Sequence, residues 1–147
     1  MGNIEDIEKR YAHLLCEDEK TCTALFGIEV GEGWYDIVDD MLCLIDNHIK
    51  RENERTTDAE KIRIVITQIK EKYGTLRVYY FDGDEYIYGV VDAYTKMSVN
   101  TCEACGANKD VGTTRGWVSR YCACCIGKIN DERRNKNQSP LDWKLNR

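Results

Sequence analysis

Hydrophobic positions along the first hundred residues change period twice, and the changes mark the elements. Ile4, Ile7, Tyr11, Leu14 and Leu15 recur at three- and four-residue steps, which predicts an amphipathic helix from about 4 to 16. The polar stretch Cys16–Cys22 links it to Leu25–Val30, a short strand or extended packing segment that ends at Gly31. A second helix is expected from Trp34 to about Arg51. Its apolar stripe is Trp34, Ile37 or Val38, Met41, Leu42, Ile45 and Ile49, with Asp36, Asp39, Asp40 and Asp46 facing out. Arg51–Asp58 carries no apolar residue and reads as a loop.

Beyond that loop the period falls to two. Ile62, Ile64, Ile66 and Gln68 alternate with Arg63, Val65, Thr67 and Ile69. After a turn at Glu71–Thr75, Leu76, Val78 and Tyr80 alternate with Arg77, Tyr79 and Phe81. This pattern predicts an antiparallel hairpin, with Gly74 supplying the positive φ of its turn. Asp82-Gly-Asp84 then stops the strand and caps a third helix, about 85 to 98, buried along Ile87, Val90, Val91, Tyr94 and Met97.

The third helix runs almost directly into a different kind of signal. Cys102 and Cys105 form one Cys-x-x-Cys hook, and sixteen residues separate it from a second, Cys122-Ala-Cys-Cys125. Two such hooks supply the tetrahedral four-sulfur shell of a structural zinc site, with no position left for substrate or water. Cys122 with Cys125 keeps the gap of the first hook, and Cys124 is the competing ligand. Gly106 lets the first knuckle close. Val111–Thr114 and Trp117–Tyr121 flank Arg115-Gly116 as a small hairpin. A helix from Cys122 to about Asn137 follows, with Cys125, Ile126 and Ile129 on one face, Arg133 and Arg134 late, and Pro140 beyond. Knuckle, hairpin and ligand-bearing helix in this order is a treble-clef layout.

Charge divides the chain at the same place. Residues 1–100 carry 12 Lys and Arg against 21 Asp and Glu, and residues 101–147 carry 9 against 5, so the net charges are −9 and +4. The expected organisation is therefore an acidic body over 1–100 and a zinc-binding module over 101–147. A basic tail on an acidic body suits docking on that body or on a protein partner better than long-range attraction to nucleic acid. No run approaches the length of a membrane span, and the first residues are too acidic for a secretory signal. An intracellular, cytoplasmic location is the expectation. In a reducing compartment the eight cysteines divide into four ligands and four free thiols, Cys16, Cys22, Cys43 and Cys124.

Several other residues carry candidate chemistry. Tyr73, Arg77, Tyr79 and Trp117 can form an aromatic and guanidinium surface that stacks bases or a nucleotide, against the plainer reading of cross-strand packing. Asp82, Asp84 and Glu85 have the oxygen ligands of a divalent-cation site, but acids at a strand end beside a helix start are more often turn and cap. Cys43 and His48 lie about 140° apart around one helix, which separates nucleophile from base. His13 reads as a helix-surface residue. There is no phosphate loop, no Ser-His-Asp set, and no histidine in 101–147 for a metal nuclease.

Three blocks carry a resemblance: Gly33–Cys43, Gln68–Tyr80 and the Cys-x-x-Cys-Gly, Gly-Trp, Cys-x-x-Cys tail. In order and spacing they resemble a group of small, mostly uncharacterised bacterial and phage proteins, over roughly residues 33 to 125. The resemblance implies the metal ligands and a bacterial or phage origin. It also favours Cys125 over Cys124, because some members have His at that position.

The expectation is an α+β protein in which helices pack on a small antiparallel sheet beside a treble-clef finger. Its ligands are Cys102, Cys105, Cys122 and Cys125, around one structural Zn²⁺. It is expected to be non-enzymatic and to recognise a protein partner through Arg115, Trp117, Arg120, the basic helix and the exposed hairpin, as a regulatory or host-interaction factor. Two other classes stay open. One is a nucleic-acid module using Arg115, Arg120, Lys128, Arg133, Arg134 and Lys136. The other is a nucleotide binder with a pocket between the hairpin aromatics and the Trp34 helix.

Overall fold

The computed structural model describes residues 2–15 and 27–147, so the link at Cys16–Cys22 and the start of the segment at Leu25 lie outside the described residues. Among the described residues the architecture is α+β, with four helices and two three-stranded sheets. The first helix, α1 (Ile4–Arg10), is shorter than its periodicity suggests. The chain tightens into a 3-10 turn at Ala12–Leu14, and Leu15 makes an isolated parallel bridge to Ile66. Strand β1 (Ile28–Glu29) pairs in parallel with β2 (Ile64–Lys72), which pairs antiparallel with β3 (Thr75–Asp82).

The hairpin is longer and tighter than its pattern predicts. Its turn is only Tyr73-Gly74, both at positive φ (53° and 69°), the mirror-image geometry whose twist suits adjoining strands. A bulge lies between Ile66 and Gln68, which pair with Tyr80 and Tyr79, leaving Thr67 as the extra residue. It reverses the alternation: Ile64 and Ile66 are buried before it, Ile69 after it, and Gln68 moves to the outer face. Without the bulge a polar residue would enter the core and an isoleucine would leave it.

Helix α2 (Tyr35–Asn53), entered through a 3-10 turn at Glu32–Trp34, buries Ile37, Val38, Met41, Leu42 and Ile45 as its stripe requires. Asp46 departs from expectation. It is buried, not outward-facing, and its carboxylate is held by His13 Nε2 at 2.6 Å and Lys50 Nζ at 2.7 Å. The chain then continues helical through Asn53, two residues into the expected loop, and turns again at Asp58–Glu60. Helix α3 (Glu85–Val99) is capped by Asp84, whose Oδ1 accepts the Ile87 N–H at 3.0 Å. Met97 is exposed, contrary to the expected stripe. Ser98 is buried in its place, and its hydroxyl accepts the Leu76 N–H at 3.0 Å.

The second sheet has the order β5-β4-β6, from β4 (Val111–Thr114), β5 (Arg120–Cys122) and β6 (Trp143–Leu145). Helix α4 (Ala123–Asn135) follows β5 directly. Strand β6 was not anticipated. Gly112 makes room for it: a Cβ there would lie 2.3 Å from the Trp143 ring and 2.4 Å from the Lys144 carbonyl. The link from α4 to β6 is clamped by Asn130, which donates to the Leu141 carbonyl and accepts the Leu141 N–H.

Candidate metal centre and contact surface

The first knuckle is closed by backbone bonds, Gly106 N–H to the Cys102 carbonyl and Cys102 N–H to the Ala107 carbonyl, both 2.8 Å. Gly106 sits at φ 81°, where a side chain would strain the turn. Cys122 ends β5 and acts as N-cap of α4, its sulfur accepting the Cys125 N–H at 3.4 Å. One turn of helix thereby aims Cys122 and Cys125 at the knuckle. The Sγ atoms of Cys102, Cys105, Cys122 and Cys125 all lie within 4.8 Å of one another, and Cys105 and Cys122 are 3.7 Å apart. Four sulfurs at about 2.3 Å from a tetrahedral ion would be ~3.8 Å apart, so the cluster has the dimensions of a closed four-thiolate site. The same spacing is too long for a disulfide. Cys124 is exposed and outside the cluster, which answers the question left by the triple Cys-x-Cys-Cys. Among the described residues this is the one convergent group of metal-ligating side chains.

The electrostatics fit a site made for a cation. Burial opposes ionisation of Cys122, but the Cys125 N–H and the neighbouring thiols outweigh it and bring the thiol down to about 7. Burial and the neighbouring thiols push Cys125 up. Four sulfurs this close cannot all be thiolates without a positive charge among them, which a metal ion would supply. Soft sulfur donors select zinc, copper(I) or iron–sulfur chemistry over hard cations.

The knuckle also forms the joint with the body. Gly33 N–H donates to the Glu103 carbonyl at 2.8 Å, Gly31 N–H to Glu103 Oε1 at 3.2 Å, and the buried Trp34 Nε1–H to the Thr101 carbonyl at 2.9 Å. The approach is backbone to backbone. A Cβ on Gly33 would lie 2.2 Å from the Cys102 carbonyl oxygen and 2.6 Å from the Gly106 nitrogen. On the other side Arg120 reaches the turn of the β2–β3 hairpin, its Nε–H donating to the Gly74 carbonyl at 2.9 Å and its Nη1 to the Thr113 hydroxyl. Burial lowers the Arg120 pKa, as expected for a guanidinium enclosed without a carboxylate.

This joint sorts the expected contact residues. Arg120 is half-buried, its guanidinium committed to the Gly74 carbonyl and the Thr113 hydroxyl within the joint. Arg115 pairs loosely with Asp142 at 3.7 Å, Arg133 donates to the Ser139 carbonyl at 2.7 Å, and Arg134 pairs with Asp131 at 2.9 Å. Much of the basic character of α4 is therefore answered within its own neighbourhood. Trp117 lies in the loop between β4 and β5, 83% exposed, and shares a cleft of about 310 Å³ with Lys70, Glu71, Lys72, Tyr73, Gly116 and Val118. Arg77 and Tyr79 lie on the adjoining outer face of the hairpin. There, Lys70 Nζ sits 5.7 Å from the Tyr79 ring centroid, joining cleft to face. The cleft is at Trp117, whereas the Trp34 indole is fully buried. Phe81, Lys70 and Lys72 extend the same outer face, as the outward phase of the hairpin places them.

The remaining candidates have local roles. His48 Nε2 lies 2.7 Å from Asp84 Oδ2 and its ring stacks on Tyr86 at 4.0 Å, while Cys43 is exposed and accepts from Asn47 Nδ2. His48 thus serves the start of α3 and does not address Cys43. Among the described residues, no helix is long and apolar enough to cross a membrane. Comparison with protein-family models, curated proteins and solved structures finds no match.

Proposed function

We propose that the chain is a non-enzymatic binding protein in which one structural Zn²⁺, held by Cys102, Cys105, Cys122 and Cys125, fixes the C-terminal unit as a rigid contact element. The knuckle, the β4–β5 hairpin and α4 support a treble-clef reading of that unit, to which β6 adds a third strand. Zinc is the choice among soft-sulfur metals because the site is closed by four protein ligands and needs no electronic preference from the ion. The role of the ion is to hold the fold.

The contact surface is the cleft and face that carry Trp117, Tyr73, Lys70, Arg77 and Tyr79. One observation carries this reading: the Arg120 joint seats the exposed Trp117 loop against the hairpin turn, so that residues more than forty positions apart line one cleft. A phage or bacterial regulatory role, as the sequence resemblance implies, is compatible with a small rigid module of this kind.

Elemental analysis of freshly purified protein should return about one zinc per chain, and the Cys102→Ser, Cys105→Ser double variant should lose it. Affinity capture from the native host with zinc-loaded protein should recover a partner that Trp117→Ala with Tyr73→Ala releases. A partner retained by both the cysteine variant and the aromatic variant would place the contact elsewhere.

A further inference from the structure

The outer face of the hairpin is built unlike the rest of the acidic body. Cross-strand neighbours on that face are Val65 and Phe81, Gln68 and Tyr79, Lys70 and Arg77, and Lys72 and Thr75. No carboxylate is among these β2–β3 pairs, although residues 1–100 contain 21 acidic groups; the acid in register with them is the exposed Glu29 of β1, which flanks Lys70 on its other side without forming an ion pair to it. Lys70 directly opposite Arg77 is a like-charge pair, an arrangement that costs a sheet stability and that an opposite charge would relieve. Neither residue, nor Lys72, has an acidic partner among the described ion pairs. The lysines lean on aromatic rings instead, Lys70 over Tyr79 and Lys72 over Tyr73. Glu71, the one acid lining the cleft, is held in the turn, its Oε1 accepting the Gly74 N–H at 2.6 Å.

Aromatic rings complete the pattern. Phe81, Tyr79, Tyr73 and Trp117 are all exposed; Phe81 and Tyr79 alternate outward along β3, and Lys70 links Tyr79 to the Trp117 cleft. Cations interleaved with exposed rings, two of them covered by a lysine on one face, match a polyanion that also offers flat apolar surfaces. Unstacked bases on a phosphodiester chain have both properties, whereas a duplex hides its base faces. Acidic peptide segments satisfy the charge but leave the rings without a stacking partner.

We infer that this face binds single-stranded nucleic acid, with bases stacked on Tyr79, Phe81 and Trp117 and phosphates beside Lys70, Lys72 and Arg77. The inference rests on the contact-surface reading above and names its partner. With three cations engaged, affinity should fall with salt at a log–log slope of about −2, at roughly 0.7 per phosphate for a single strand. The acidic remainder of the body repels the rest of the chain and confines binding to a short segment, two or three bases on a sheet of this size.

The test is fluorescence anisotropy of labelled 12-nucleotide oligo(U) and oligo(dT), and of a 12-base-pair duplex, with the zinc-loaded full chain. Both single strands, or one of them, should bind at least roughly tenfold more tightly than the duplex, and the two arms assign RNA or DNA. Tyr79→Ala and Trp117→Ala, both at exposed positions, should each weaken binding by roughly 5- to 150-fold. Arg77→Gln should reduce the salt slope by about 0.7. Lys128→Gln on α4 with Lys136→Gln at its C-cap should change neither. Absence of binding by folded, zinc-loaded protein at low salt would overturn the inference. So would equal affinity for the duplex, or loss of binding in the α4 variant instead of the hairpin variants. A nuclease-resistant protein captured through Trp117 would overturn it too, while leaving the contact-surface reading intact. Retention of the captured partner by the Trp117 and Tyr73 variant defeats the surface itself.

Discussion

The body and the C-terminal unit bury apolar surface on different scales. Among the described residues, sixteen buried hydrophobics form one continuous cluster in the body, from Ile7 to Val90, and three, Cys102, Val111 and Cys122, form the cluster of the C-terminal unit. Two of those three are candidate ligands. A core that small does not offset the conformational entropy of a unit of 47 residues, so the unit needs covalent or metal cross-links. The body needs none. An ion held by the four thiols would act as a substitute for a core, and the two halves should then fail in different ways under different stresses.

The largest separation should come from removing the metal. Apparent binding free energies for structural zinc are about 10–16 kcal/mol, so chelation or Cys102→Ser should abolish the fold of 101–147. Hydrogen exchange should then show amide protection lost in β4, β5 and α4 but retained in α2 and β2. Equal loss in both halves would erase the contrast. The converse experiment is Trp34→Ala, which empties a fully buried site in the body and should cost about 3–5 kcal/mol by urea unfolding.

Gly33→Ala addresses the joint. The added methyl must displace the backbone of the knuckle, and overpacking of this kind costs about 1–3 kcal/mol. Because the clash is with Cys102 and Gly106, zinc affinity should fall together with body stability. Unchanged zinc affinity would show the two halves to be merely adjacent.

Acid should act on the body through Asp46 and Asp84. Burial raises each carboxyl, but His13 and Lys50 for the first, and His48 with the Ile87 N–H for the second, outweigh it and lower both below the ordinary 3.8. A carboxylate with a depressed folded-state pKa contributes stability that is present above its unfolded value and lost as pH falls through the folded one. Stability should thus hold down to about pH 4 and decline below it, and Asp84→Asn should flatten that decline. Removal of the cap by Asp84→Ala should cost about 1 kcal/mol at neutral pH. The smallest effect belongs to Trp117→Ala, which should move thermal stability by no more than about 0.5 kcal/mol while it disables contact. A larger loss would make Trp117 part of the structure of the unit.

The same contrast explains what could be read from residues alone. Large periodic elements were legible: the α2 stripe, the hairpin with Gly74, the Asp84 cap, and the cysteine hooks, whose spacing is dictated by the size of one ion. Departures arose where a tertiary partner overrides local pattern. Asp46 reads as solvent-facing until His13, thirty-three positions away, is brought to it. Gln68 and Ile69 exchange faces at a bulge that no periodicity announces. Met97 follows the apolar stripe, yet Ser98 is drawn inward by an unpaired amide at the hairpin. Strand β6 has three residues and depends on the missing side chain of Gly112. Arg120 resembled a surface cation because its acceptor, the Gly74 carbonyl, is backbone and leaves no trace in composition.

The indole of Trp34 lies in the body core, but its N–H is bonded to the residue just before the first sulfur ligand. Any loosening of the knuckle alters the polarity around that ring, so its blue-edge fluorescence is a built-in optical gauge of metal occupancy. Stopped-flow chelation followed at that emission would time the disengagement of the two halves without an added label.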